Sequence, residues 1–181
     1  SISGVVGNYS ISFAIEGASS SAVASASQGI DLTHGDAVAL RMVSQPTNAT
    51  AGVTMSPLVV EVIDARGNRV ITGVNSSKTI TAWGTYYNAA TLVGTNAVSV
   101  SAGVATFDNL AATLGANANI KVGIQVSGIN HVFYSDNIFL APNVGTKLAL
   151  DSTAAVNRVA GVAQASDYTL RLLDAYGNTT N

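Results

Sequence analysis

Apolar and polar residues alternate with a period of two along most of this chain. Tyr9, Ile11, Phe13 and Ile15 fall on one face of a segment whose other face carries Ser10, Ser12 and Glu16. Ile120, Val122, Ile124 and Val126 alternate in the same way with Lys121, Gly123 and Gln125, and Leu58, Val60 and Val62 with Val59 and Glu61. A period of two is the signature of a strand with one buried face. The same reading predicts strands over 38–43, 58–63, 69–72, 78–84, 97–101, 103–107 and 119–126. A last one spans 131–140, in two pieces around Ser135-Asp136-Asn137. The Ser/Ala stretch 18–28 reads as a linker or a further strand, since Ala22, Ala24 and Ala26 alternate with serines. No segment sustains an apolar period of 3.6, so the fold class is all-β.

Two of these strands run into the same five-residue ending. Leu58–Ile63 leads into Asp64-Ala65-Arg66-Gly67-Asn68, and Tyr168–Leu173 leads into Asp174-Ala175-Tyr176-Gly177-Asn178. Aspartate can bond its own backbone two residues on, and glycine can take a positive φ, so Asp-Ala-x-Gly-Asn is first of all a turn. Aligning Gly17 with Gly128 superposes the strands before them at nearly the same offset. Val38-Ala39-Leu40 also matches Leu148-Ala149-Leu150, and Ala51-Gly52-Val53 matches Ala160-Gly161-Val162 after a one-residue slip. The chain is therefore expected to be a repeat array with a period of about 110 residues. Residues 1–35 correspond to the C-terminal part of one repeat, 36–145 to a complete repeat, and 146–181 to the N-terminal part of the next. A partial unit of such a size is too short to bury a core alone, because domains below about 40 residues need outside help. The chain is thus expected to be an excerpt of a longer array, or to have its ends completed by identical subunits.

The order of these motifs carries a family likeness. An apolar strand, Ala51-Gly52, the stretch from Pro57 to Asn68, then Gly103-Val104-Ala105-Thr106-Phe107-Asp108-Asn109-Leu110 and a strand after Gly115-Ala116-Asn117-Ala118 together resemble the bacterial immunoglobulin-like repeats of very large cell-surface proteins. The resemblance covers the whole chain. It implies an immunoglobulin-like antiparallel β-sandwich for each repeat, secretion to the cell surface, and a role as stalk, adhesin, filament or surface-layer component. It implies no catalytic residue. The sequence departs from the usual pattern at Trp83-Gly84-Thr85-Tyr86-Tyr87, where such repeats more often carry small residues.

Composition narrows the function classes further. The chain is 48% hydrophobic but only 6% aromatic, so its core must be built from Val, Ile, Leu and Ala. Charged residues make up 10%, far below the ~25% usual for soluble domains, and solubility rests on Ser, Thr, Asn and Gly. That surface suits an extracellular polymer or packed lattice. A net charge of −2 gives no electrostatic reason to expect nucleic acid or an anionic membrane as partner. There is no cysteine, hence no disulfide or thiolate chemistry. No apolar run approaches the ~20 residues of a membrane span.

Candidate chemistry is sparse. His34 and His131 sit on polar loops or strand edges, and serines are too abundant for a Ser-His-Asp arrangement to carry meaning. Calcium stiffens many surface repeats and needs about 6–8 oxygens, several from carboxylates. Asp31, Asp36, Asp64 and Asn68 are the residues that could contribute, with His34 beside the first two; the second junction, 141–145, has no carboxylate. No metal or other cofactor is expected. Trp83, Tyr86 and Tyr87 crowd three rings into five residues, with Ile80 and Ala82 placed inward and Trp83 outward. Such a group could stack on a surface glycan or anchor a protein contact. Asn-x-Ser/Thr sites at Asn8, Asn48, Asn75 and Asn178 are what chance supplies in a chain this rich in those residues. A Lys–Asn crosslink through Lys78, Lys121 or Lys147 is not expected. The expected function is structural or adhesive, with neighbouring repeats or identical subunits as partners. A self-assembling filament or surface-layer subunit and a carbohydrate-binding accessory module are the alternatives, and an enzyme is not expected.

Overall fold

A computed structural model of the chain describes residues 2–13, 26–85, 90–129, 132–151, 160–161 and 169–180. Among them the fold is all-β, with a single 3-10 turn at Val74–Ser77 and several separate sheets. The first pair of strands, β1 (Gly7–Phe13) and β2 (Ala26–Leu32), forms an antiparallel ribbon. The central strands follow: β3 (Ala37–Ser44), β4 (Asn48–Thr50), β5 (Leu58–Asp64), β6 (Thr79–Thr85), β7 (Leu92–Val93) and β8 (Ala97–Ser99). They continue with β9 (Val104–Phe107), β10 (Ala111–Ala112), β11 (Ala118–Val126), β12 (Val132–Tyr134) and β13 (Ile138–Ala141). A second antiparallel ribbon, β14 (Lys147–Leu150) with β15 (Leu170–Leu173), ends the chain.

Three central strands form one sheet in the order β3-β5-β9. Another sheet runs β4-β13-β11-β6-β8, with β12 paired to β11 and β4 parallel to β13. Alternation does the sorting. Leu58, Val60 and Val62 of β5 are at most 1% exposed, and so are Ile120, Val122, Ile124 and Val126 of β11. These residues, with Leu40, Ile80, Ala82, Phe107, Ile138 and Leu140, belong to one hydrophobic cluster to which both sheets contribute. Phe107 is its one aromatic residue that is fully buried, so aliphatic packing supplies nearly all the burial, as the composition requires.

The flanking ribbons reproduce the register of central strand pairs. In β3–β5, Arg41 faces Glu61 and pairs with it at 2.6 Å. In β14–β15, Arg171 faces Ala149 and reaches diagonally to Asp151, just past the end of β14, so an ion pair recurs with its charges exchanged but out of the direct register. Leu40, Val60 and Val62 are buried in the centre, whereas Leu148, Leu170 and Leu172, paired in the same register, are 71%, 59% and 44% exposed. Tyr9 and Phe13 of β1 are likewise open, at 45% and 59%. Each ribbon thus has the alternation of a core strand without a covering layer among the described residues.

The strands expected from alternation are present with small shifts, including the break of 131–140 into β12 and β13. Two differences have physical reasons. The segment 69–72 is no strand but a single bridge, Ile63 to Arg69, after which Gly73 at a positive φ turns the chain away. The pieces β4, β7 and β10 have two or three residues, too few to display a period. The stretch 18–28, expected as a linker or a further strand, falls mainly outside the described residues, and only its end, from Ala26, is seen in β2.

Candidate functional site

Five polar or charged residues are buried among the described ones, and four belong to the two Asp-Ala-x-Gly-Asn segments: Asp64, Asn68, Asp174 and Asn178. Burying a carboxylate is costly unless its lone pairs are met by donors. The strand before each segment supplies the first element of the solution. Strand β5 ends at Asp64, whose backbone N–H donates to the Asn68 carbonyl at 2.9 Å, and Gly67 N–H returns to the Asp64 carbonyl at 3.0 Å. Gly67, at φ 81°, closes this turn as no residue with a Cβ does readily.

Inside the turn the Asp64 carboxylate is saturated. Oδ1 accepts from the backbone N–H of Arg66 (2.8 Å) and Asn68 (2.9 Å). Oδ2 accepts from Gly35 N–H (2.8 Å) and from the Asn68 side-chain amide (3.0 Å). The second copy is the same arrangement: Asp174 Oδ1 accepts from Tyr176 and Asn178 N–H, both at 2.9 Å. Its Oδ2 accepts from Asn143 N–H (3.0 Å) and Asn178 Nδ2 (2.9 Å). In each copy the carboxylate reaches back to the segment between strands, at Gly35 or Asn143, and holds it against the turn.

These donors set the charge state. The Gly35 N–H, the Asn68 amide and the other two N–H groups hold the Asp64 carboxyl well below its ordinary range, against a smaller opposing effect of burial. At Asp174, burial is the largest single influence and pushes upward. The Asn178 amide and the N–H groups of Asn143, Asn178 and Tyr176 together outweigh it, so this carboxyl too lies below its ordinary value.

The asparagine carries the contact to the preceding strands. Asn68 Oδ1 accepts from Val6 N–H at 3.0 Å and its Nδ2 donates to the Gly4 carbonyl at 3.0 Å, both just ahead of β1. Asn178 Oδ1 accepts from Ala116 N–H at 3.2 Å and its Nδ2 donates to the Thr113 carbonyl at 2.9 Å, just ahead of β11. All four partners are backbone groups. Asn117, held at φ 64° where asparagine is tolerated, adds a bond from its Nδ2 to the Thr179 carbonyl at 2.8 Å. The arrangement fastens asparagine side chains to backbone on other strands. It clamps one block of strands to the next, and the same clamp recurs one period later.

The sequence-derived candidates for metal divide accordingly. Asp64 and Asn68 are brought together, but N–H groups aim at every lone pair of Asp64, the opposite of what a cation needs. Asp31 lies on β2 opposite Asn8, and Asp36 precedes β3; among the described residues no three metal-ligating side chains form a group. His34 bonds the Gly35 carbonyl through Nδ1 (2.9 Å) and Thr72 through Nε2. Trp83 is placed outward on β6, as alternation requires, opposite Gly123 of β11. A Cβ at Gly123 would lie 2.6 Å from the indole, so the ring covers a strand position with no side chain of its own. Tyr86, Tyr87 and His131 fall outside the described residues.

Sequence reasoning identified the turn and missed the clamp. The partners of each asparagine lie 62 to 65 residues away, and no local pattern announces them. One signal was present: asparagine at the last position of both copies is not required to close the turn itself. No family model matches this chain, and no curated protein matches its sequence.

Proposed function

We propose that this chain is a segment of a structural array on a bacterial cell surface, with immunoglobulin-like antiparallel β-sandwich units in tandem serving as a stalk or fibre. The central unit spans 36–145, flanked by parts of two others at 1–35 and 146–181. The observation that carries the reading is the recurrence of one clamp, Asp64–Asn68 and Asp174–Asn178, each fastened to backbone ahead of the corresponding strand of the preceding unit. A repeated joint of this kind turns a string of domains into a spacer of defined geometry. The low charge accords with a secreted polymer. Pulling the chain by its ends in a force-spectroscopy experiment tests the mechanical role. One resistive event releasing roughly 100 residues of contour, about 35 nm at ~3.5 Å per residue, is expected; extension without a force peak refutes it.

A second reading has its own support. The open apolar residues of the ribbons, Tyr9 and Phe13 at one end and Leu148, Leu150, Leu170 and Leu172 at the other, suit a self-assembling filament or surface-layer subunit completed by identical molecules. Sedimentation equilibrium separates the two: a mass that rises with concentration favours assembly, and a constant monomer mass favours the stalk.

A further inference from the structure

The turn between β4 and β5 has a feature that the clamp does not explain. Val53 N–H donates to the Thr50 carbonyl at 2.9 Å and Gly52 sits at φ 74°, a type II geometry with glycine at the position that demands it. The turn is tied down on both sides, by Ala51 N–H to the Ala141 carbonyl (2.9 Å) and Gly52 N–H to the Ala112 carbonyl (2.8 Å). Its outer surface is covered by the stretch after β13 and by the turn after β15. Asn143 Nδ2 donates to the Ala51 carbonyl at 2.8 Å, and a Cβ built on Gly52 would fall on the hydroxyl and ring of Tyr176.

We infer that the Ala51–Gly52 turn is a socket for the aromatic side chain at the variable position of the next unit's clamp, and that the Gly52–Tyr176 pair fixes the angle between the two units. The inference rests on the tandem reading above. Asn178 grips Thr113 and Ala116, two points on one loop, and a joint held at one loop can still swing about it. Tyr176 touches a different turn of the same unit, and contacts at two separate places remove that freedom. Tyr176 is well placed for this, because its own N–H is pinned by Asp174 Oδ1 at 2.9 Å. The glycine is needed twice, for its positive φ and for the space its missing Cβ leaves. The first clamp has Arg66 at the variable position, so the pair also distinguishes one junction from another.

The chain contains its own control. Ala160-Gly161 repeats the Ala-Gly turn with Gly161 at φ 83°, and a Cβ there would meet nothing within 4 Å. Alanine at 52 and at 161 therefore imposes the same backbone strain, but only the first intrudes on Tyr176. Amide residual dipolar couplings of the whole chain in a dilute aligning medium report the relative orientation. In the unsubstituted chain one alignment tensor is expected to fit both 37–141 and 169–180. In Tyr176→Ala and Gly52→Ala the tensor of the second group is expected to fall in magnitude by about twofold or more, as it gains independent motion. Tyr176→Phe and Gly161→Ala should match the unsubstituted chain. A single shared tensor in Tyr176→Ala and Gly52→Ala overturns the socket and leaves the stalk standing, as does equal loosening by Gly161→Ala. Two tensors in the unsubstituted chain overturn both.

Discussion

Replacing Asn178 by alanine should loosen the second junction by an amount that its bonds set. The substitution removes two bonds to neutral backbone, at Thr113 and Ala116, and one to the Asp174 carboxylate. A neutral bond contributes about 1 kcal/mol net and one to a charged group about 1.5–3. Thr113 and Ala116 are only half-buried, so water replaces much of the neutral part. The expected loss is then about 2–3 kcal/mol, dominated by the carboxylate left one donor short. Native-state amide exchange reads it directly. The N–H groups of Asn143 and Tyr176, which still face Asp174, should exchange about 30- to 150-fold faster at neutral pH through local opening. Val62 and Ile124 in the central core should be unaffected. Asn178→Asp should open the junction further than alanine at neutral pH, because a second carboxylate would replace the amide that sits 2.9 Å from Asp174 Oδ2. On mild acidification, a proton shared by the two carboxylates should restore part of the loss. If Asn143 and Tyr176 stay within about threefold of the parent rate in Asn178→Ala, the clamp does not hold the junction and the reasoning fails.

Three other outcomes follow from the same geometry. Asp64 and Asp174 are both depressed in the folded chain, so the unfolded chain binds more protons in acid; their stabilisation is complete above the unfolded value near 4 and fades as pH falls below it. Thermal melts from pH 7 to pH 2 should show a falling midpoint, with a shallower fall in Asp64→Asn and Asp174→Asn, and an equal slope would count against the carboxylates. Adding excess calcium or a chelator should leave the melting midpoint unchanged, since the lone pairs of Asp64 and Asp174 already accept N–H groups; a calcium-dependent rise would contradict this assignment. Gly123→Val should push the indole of Trp83 off β11, destabilising by about 1–3 kcal/mol. Emission from this single tryptophan should move to longer wavelength, and an unchanged spectrum would mean that the ring does not rest there.

Much of the architecture was legible because burial of one sheet face forces a period of two. The inward residues of β5 and β11 could be named from the sequence, and Ser135-Asp136-Asn137 was a visible interruption between β12 and β13. What alternation could not convey was pairing over distance. The parallel contact of β4 with β13 joins Ala49 to Leu140, and three residues have no period to betray them. The candidate site shows the same division. Asp64 was recognisable as a turn former, since its bonds to Arg66 and Asn68 are local. The bond to Gly35, 29 residues back, and those of Asn68 to Gly4 and Val6 exist only once the strands have assembled. Trp83 illustrates an intermediate case. Its outward direction followed from Ile80 and Ala82, but its resting place depended on a glycine across the ladder.

Every group that Asn68 and Asn178 grip on the preceding unit belongs to the main chain. A receptor made only of amide and carbonyl asks nothing of the side chains around it, so neighbouring units can diverge in sequence and still fit. The directly opposed pair Arg41–Glu61 and the diagonal pair Arg171–Asp151 are an instance of such divergence. The connections into the two units also differ in length, with Gly35 two positions before the start of β3 and Asn143 four before the start of β14, yet both clamps close alike. In an array of the kind proposed, a unit set beside a new neighbour would keep this part of the joint, while the contact of Gly52 with Tyr176 would depend on which units meet.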